Sequence, residues 1–195
     1  MNDTKTTKPH SFPLSIGERL GTEVCELFAG AVDRIAVAGS VRRRCKVVHD
    51  LDIIAIPRFT TVPPRTLFGD PEQVSEVDRV LDELASSGKI DLIQRGEKAV
   101  RFQLCGHHIT VDFYVASPET WATLLLIRTG SREHNIFLCT RAKDLGMQLK
   151  ADGSGLFRGG RMIASESEES IFQALGLNLP PPELRQNPKG GRGLR

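Results

Sequence analysis

The sequence predicts an α+β fold in two parts: a small mixed β-sheet with helices on one face, then a smaller C-terminal α/β unit. Three observations carry this. Ile109-Thr-Val-Asp-Phe-Tyr-Val115 alternates, with Ile109, Val111, Phe113 and Val115 on one side and Thr110, Asp112 and Tyr114 on the other, the mark of a half-buried strand. Leu20, Val24, Leu27 and Phe28 recur at i, i+4, i+7 and i+8, the apolar stripe of a helix. Finally, a βαβ-type opening is followed by a hairpin, an order that suits a small mixed sheet with helices on one side.

The elements follow in order. Residues 1–12 are polar and Thr/Lys-rich and read as a flexible tail. Leu14 to Phe28 is the first helix, stopped at Gly30, and Arg34 to Ala38 is a strand feeding Gly39-Ser40. A second strand carries Asp50 to Ile56, and Pro57 to Gly69, with three prolines, is a loop. Asp70-Pro71 is expected to start a helix through a carboxylate cap and a first-turn proline, with Val74, Val77, Val80, Leu81 and Leu84 inward and Gly88 as its stop. Lys89 to Gln94, Ala99 to Leu104 and His108 to Val115 read as strands, the last two joined by a Gly106-His107 turn. Ser117-Pro118-Glu119 is expected to cap a helix buried through Trp121, Leu124 and Leu125, broken at Thr129-Gly130-Ser131. A further helix from Arg132 to Leu145 is expected to turn Ile136, Leu138, Ala142 and Leu145 inward. Short strands follow at Gln148-Leu149, Gly155 to Arg158 and Arg161 to Ile163. Ser165 with Glu168 has the spacing of a capping box before Ile171, Phe172 and Leu175, and Pro180-Pro-Pro182 stops any continuation. Residues 13–120 thus form the sheet domain, 121–185 the C-terminal unit, and 186–195 a flexible basic tail.

A net charge of +2 is only mildly basic, so nucleic-acid binding would rest on local patches, Arg42-Arg43-Arg44 with Lys46 and the tail from Lys189 to Arg195. Cys25, Cys45, Cys105 and Cys139 have no CxxC spacing and read as reduced thiols, and Cys105-Gly-His-His108 lacks a second cluster for zinc. No apolar run is long enough to span a membrane and no signal peptide is present, so a cytoplasmic protein is expected.

The stretch that carries chemistry runs from Val37 to Ile56. Asp50 and Asp52 share one strand face, their Cα atoms about 7 Å apart, while Leu51 and Ile53 point into the core. Two carboxylates on one face need a positive partner, and hard divalent cations supply it through oxygen. Pairing this strand with the one bearing Asp112 would gather three acids, enough to hold two ions about 3.5–4 Å apart for phosphoryl transfer. Ahead of them, the Gly39-Ser40 turn offers backbone N–H groups and a hydroxyl, with arginines next to it, to a triphosphate. Asp-x-Asp alone is common; with the Gly-Ser turn eleven positions before Asp50 and a strand-borne Asp112 later, it is a much rarer combination.

In these residues the chain resembles the nucleotidyltransferase superfamily of DNA polymerase beta, and within it the family X DNA polymerases. Gly39-Ser40-Val41-Arg42-Arg43, Asp50-Leu51-Asp52, Val111-Asp112-Phe113 and Thr129-Gly130-Ser131 match its motifs in order and spacing. So do His134-Asn135-Ile136, Gly155-Leu156-Phe157-Arg158 and Pro181-Pro182-Glu183-Leu184-Arg185, the match covering about residues 13 to 185. The lyase and helix-hairpin-helix parts of such polymerases have no counterpart, as in short stand-alone phage and bacterial proteins of this type.

The resemblance implies a palm domain and a thumb-like subdomain. It implies two Mg²⁺ (Mn²⁺ able to substitute) held by Asp50, Asp52 and Asp112, with Asp112 completing the catalytic ion. It implies nucleotide contacts from Gly39, Ser40, Arg43, Thr129, Gly130, Ser131 and Asn135. The partners implied are DNA primer/template and a dNTP or NTP, for a chain acting as a monomer. The expected function is transfer of nucleotides to a DNA 3′-hydroxyl with pyrophosphate release, in repair or gap filling. A template-independent transferase acting on DNA, RNA or a small acceptor is the alternative, and a catalytically silent nucleic-acid-binding module is a third reading. Arg42 and Arg44 are ambiguous, being either solvated or in contact with DNA; Thr-Gly-Ser can also be an ordinary helix-breaking turn.

There are departures from the pattern. Ile127 and Arg128 stand where the family carries an aromatic pair near the sugar, Cys139 replaces an arginine one turn after Asn135, and Ser11 replaces a phosphate-contacting arginine. The first of these predicts relaxed sugar discrimination. Ribo- and deoxyribonucleotides should be incorporated at comparable rates, and a preference above about a thousandfold (roughly 4 kcal/mol) would refute it.

Overall fold

The computed structural model describes residues 11–64 and 70–186. The expected flexibility of residues 1–10 and 187–195, the basic tail and the end of the proline-containing loop lie outside the described residues.

The elements are β1 (Phe12–Pro13), α1 (Leu14–Phe28), β2 (Val32–Val37), α2 (Gly39–Arg42), β3 (Val47–Val48), β4 (Asp50–Pro57), β5 (Phe59–Val62), β6 (Glu72–Ser75), α3 (Glu76–Ser86), β7 (Ile90–Arg95), β8 (Ala99–Leu104) and β9 (Ile109–Val115). The C-terminal part adds α4 (Trp121–Thr129), α5 (Arg132–Asp144), β10 (Gln148–Leu149), β11 (Leu156–Arg158), β12 (Arg161–Ala164) and α6 (Glu168–Ala174). Phe12, assigned to the tail, pairs instead with Val48.

A five-stranded mixed sheet in the order β2-β4-β9-β8-β7 is the frame. Its central pair, β4 and β9, is parallel, and the outer pairs are antiparallel. Alternation decides which face is which. Leu51, Ile53 and Ala55 of β4, Phe102 of β8 and Val111 and Phe113 of β9 turn to one side and pack against Leu20, Val24 and Phe28 of α1 and Val77 and Leu81 of α3. Phe28 lies 4.8 Å from Phe113, centroid to centroid. Burying each such aromatic contributes about 1.5–3 kcal/mol, so this layer fixes the strands the acids stand on. On the opposite face, Ile54 packs with Ala38, Trp121, Ala122 and Leu124, so α4 covers that side beyond the acids. The C-terminal part has its own core, built from Leu126, Leu138, Leu149, Leu156, Ile171 and Phe172 around the β10-β11-β12 sheet.

Four local expectations are corrected. Residues 72–75 form a strand paired with β5, and the helix starts at Glu76, where Ser75 Oγ accepts the Asp78 N–H. Thr60, Thr61, Val62 and Val74 are β-branched and favour this two-stranded arm, and Ser75 outcompetes Asp70 as the cap. Ile136 is 55% exposed. It lies two residues before Leu138, about 200° around the helix from the stripe that Leu138 and Ala142 bury. The capping box is Ser167 with Ser170, each hydroxyl accepting from the other's N–H. Glu168 is thereby free to act elsewhere. Similarly, Ser117-Pro118-Glu119 precedes α4 as a turn, and Thr120 Oγ1 accepts the Ser117 N–H at 2.9 Å.

Besides the apolar contacts of α4, the two parts are joined by one carboxylate that both supply with arginines. Glu168 receives both Nη1 (2.9 Å) and Nη2 (2.8 Å) of Arg42 and, from the other side, Arg185 Nη1 at 2.7 Å. Arg185 is 1% exposed. Arg42, left open between solvent and DNA, is therefore an interface residue, and only Arg44 and Lys46 of the expected basic patch face solvent.

Candidate active site

Parallel pairing of β4 with β9 sets Asp52 directly beside Asp112, with Asp50 beside Thr110. Adjacent strands lie about 4.8 Å apart, so the three acids share one patch of the sheet's second face. Asp52 shows the consequence. Burial, then the charges of Asp50 and Asp112, push its carboxyl from 3.8 up to about 7, against the opposing pull of Arg128 and Arg43. Asp112 gives both of its oxygens to Arg101, accepting Nε–H at 2.6 Å and Nη2–H at 2.8 Å. Among the described residues no three His, Cys, Asp or Glu side chains already stand as a metal cage.

The glycine-serine turn lies against Asp52. Ala38 N–H donates to the Asp52 carbonyl at 2.7 Å, and the chain then enters the single turn of α2 at Gly39, whose φ is +56°. A Cβ on Gly39 would stand 1.8 Å from Asp52 Oδ2. Only glycine permits both the conformation and the approach. Gly39→Ala is therefore expected to destabilise the protein by at least about 2 kcal/mol, read as a lower urea midpoint; an unchanged midpoint would show that the turn has room to spare.

Ser40 Oγ is buried without a hydrogen-bond partner, and so is Arg43 Nε. Arg43 Nη1 donates to the Thr129 carbonyl, which ties the turn to the end of α4. A cavity of about 510 Å³ opens here, lined by Arg43, Asp52, Arg128, Gly130, Ser131 and Asn135 among others. Of the expected nucleotide contacts, Arg43, Gly130, Ser131 and Asn135 face this cavity. Gly39 and Ser40 do not line it; Gly39 stands against Asp52, which does. Thr129 is fully buried, its hydroxyl accepting from Arg42 (2.6 Å) and donating to the Leu125 carbonyl (2.6 Å). Ser131 Oγ caps α5 by accepting the His134 N–H. Asn135 Nδ2 donates to the Ile127 carbonyl at 2.7 Å, leaving its buried Oδ1 unpaired. Of the seven buried side-chain polar atoms without partners among the described residues, four (Ser40 Oγ, Arg43 Nε, Arg128 Nε and Asn135 Oδ1) surround this site, which marks it as built for a polar ligand.

Sequence reasoning missed several residues. Arg128, noted as a departure, stacks 4.0 Å over Tyr114. Tyr114 has its hydroxyl pushed up to about 12, first by burial and then by Asp52. His134 is buried, with its ring 5.9 Å from Phe172. Arg101 was legible: a turn at Gly106-His107 pairs Leu104 with Ile109 and hence Arg101 with Asp112.

Known proteins resemble the chain in sequence and in fold. A family profile described as DNA polymerase beta thumb matches residues 124–186. The chain is 28% identical over 183 residues to DNA polymerase/3′-5′ exonuclease PolX of Bacillus subtilis (strain 168), covering 92% of this chain but 29% of that protein. Its fold resembles a crystal structure of Leishmania infantum polymerase beta described as a ternary P/T complex, with a TM-score of 0.72 at 19% identity, over 91% of this chain and 77% of that one. The fold is that of polymerase beta. The chain is similar to these polymerases and spans 29% of the length of the curated relative it matches. No helix among the described residues is long and apolar enough to cross a membrane.

Proposed function

We propose that this chain is a divalent-metal-dependent nucleotidyltransferase that adds nucleotides from a (d)NTP to a DNA 3′-hydroxyl with release of pyrophosphate, in repair or gap filling. The observation that carries the proposal is the β4–β9 register, which sets Asp52 beside Asp112 and holds its carboxyl at about 7. A site that disfavours its own third negative charge is one that a cation completes. Asp50, Asp52 and Asp112 would hold Mg²⁺ once Arg101 yields part of Asp112. Bound there, the metal supplies charge neutralisation and acidifies an attacking hydroxyl.

The chain's own residues do the rest. Gly39 brings the turn's backbone against Asp52, and Ser40 Oγ and Arg43 Nε are free donors for phosphate oxygens. Arg43 and Arg128 offset the negative charge that gathers at the transferred group. Asp112 accepts the proton of the attacking hydroxyl. Gly130, Ser131 and Asn135 wall the cavity where the nucleotide's sugar and base would sit, with Asn135 Oδ1 open to a donor. Arg128 in place of an aromatic leaves a polar group beside the sugar, which supports acceptance of ribonucleotides.

Primer extension with each dNTP and NTP, with and without template, and in Mg²⁺ or EDTA, tests this. Expected is metal-dependent extension of a primed template with both sugars accepted. Equal extension without template would favour the template-independent transferase. Binding of DNA with no incorporation under any condition would leave only a binding module.

A further inference from the structure

The most unusual feature of the site is the partner of Asp112. Arg101 stands directly opposite it across the β8–β9 pair and takes both carboxylate oxygens in a fork. The two ends differ in exposure: the Arg101 side chain is 51% exposed and Asp112 13%. The arginine can therefore swing into water without disturbing the sheet, while the aspartate stays where it is. The guanidinium also acts electrostatically on Asp50. It thus sits where a cation bound among Asp50, Asp52 and Asp112 would compete with it for the same oxygens.

We propose that Arg101 is a positioning residue that stands in for the catalytic cation: it holds Asp112 neutralised and aimed in the metal-free protein, and it sets the metal concentration at which the site fills. This rests on the proposed assignment of the three acids as metal ligands. Two consequences follow from the geometry. An ion that binds Asp112 competes with the guanidinium charge, and crowds its hydrogen bonds, at the same two oxygens, so Arg101 weakens metal binding. A lysine at the same position, with one ammonium in place of a fork, competes less well. An exposed ion pair of this kind is worth up to about 1 kcal/mol, which corresponds to a change of about fivefold in metal affinity.

The experiment is direct Mn²⁺ binding, followed by electron paramagnetic resonance on the full chain without DNA or nucleotide, for the wild type, Arg101→Met, Arg101→Lys and Asp52→Asn. Methionine keeps a comparable apolar stem, so folding should survive; denaturation in EDTA checks it. Expected is Mn²⁺ binding about fivefold tighter in Arg101→Met, an intermediate value in Arg101→Lys, and little binding in Asp52→Asn. Unchanged or weaker Mn²⁺ binding in a folded Arg101→Met, with wild-type binding still dependent on Asp52, would overturn the role of Arg101 alone. Wild-type binding that is absent, or indifferent to Asp52→Asn, would overturn the metal assignment and this inference with it.

Discussion

Asp52→Asn is expected to abolish nucleotide incorporation and, in the same protein, to raise the stability of the metal-free fold. The two effects have one cause. Asp52 is the acid against which the turn at Gly39 closes, and it shares its patch with Asp50 and Asp112. Its carboxyl is raised from 3.8 to about 7 by burial and then by those two charges. For an acid with a raised folded value, the unfolded chain gives up the proton first. The Asp52 contribution to stability is therefore most favourable below pH 3.8, falls as pH rises, and levels off once the folded carboxyl ionises near 7. The rise from 3.8 to about 7 sets an upper bound of roughly 4 kcal/mol on this loss. Relaxation around the site makes about 2 kcal/mol the expected gain for asparagine at pH 8, measured by urea denaturation in EDTA. Incorporation should drop by a factor on the order of 10³ or more, since a neutral amide is a poor ligand for a hard cation. Mg²⁺ should stabilise the wild type and leave the variant unchanged. A variant less stable than wild type in EDTA would mean that the acid is held by attraction rather than crowded by repulsion. Retained incorporation would remove Asp52 from the site.

How much of this was legible in the sequence can be judged from particular residues. The period-2 runs at Asp50 to Ile56 and Ile109 to Val115 gave the strands and their faces, because one face is buried and a shift of one residue would put Asp52 in the core. The helix from Leu14 to Phe28 was legible to its last residue, since its stripe is regular and Gly30 follows. The arm at residues 59–75 was not, because a proline after an acid resembles a helix start and the competing β-branched pairs lie on two separate segments. Ile136 was misplaced by counting apolar residues without their angular positions. The roles of Arg42, Glu168 and Arg185 were hidden for a different reason. They lie up to 143 residues apart, 42 to 185, and nothing local in a chain shows that two arginines converge on one carboxylate. The convergence of Asp50, Asp52 and Asp112 follows from strand alternation and pairing. The thumb's attachment depends on tertiary geometry that only the folded chain displays.

That attachment yields the other large effect. Glu168→Ala is expected to cost about 3–5 kcal/mol, because it strands Arg185, 1% exposed, and Arg42 without a counter-charge. Burial by itself would push the Glu168 carboxyl up, yet the hydrogen bonds from Arg42 and Arg185 outweigh it and hold it below its ordinary 4.5. With a depressed folded value, this contribution is complete above pH 4.5 and fades as pH falls through the folded value, so the wild type should lose the clamp in acid. Removing one member differs from removing all three. Arg42→Met, Glu168→Leu and Arg185→Met together leave no unpaired buried charge, and much of the lost stability should return. Activity should not return with it. Arg42 ends the short helix that begins at Gly39, its Nη1 also donates to Thr129 Oγ1 at 2.6 Å, and Arg43 beside it reaches the cavity. Without the clamp, the turn keeps the Arg43 bond to the Thr129 carbonyl but loses the charged anchor beside it, so the Arg43 guanidinium is held less firmly at the cavity where the proposed function places the triphosphate. The triple variant should therefore unfold near the wild-type urea midpoint while kcat/KM for nucleotide stays at least about tenfold down, the loss falling on nucleotide KM if Arg43 acts in binding and on kcat if it acts at the transition state. Equal stability and equal activity in the triple variant would show that the clamp joins two bodies without setting the geometry of the site between them.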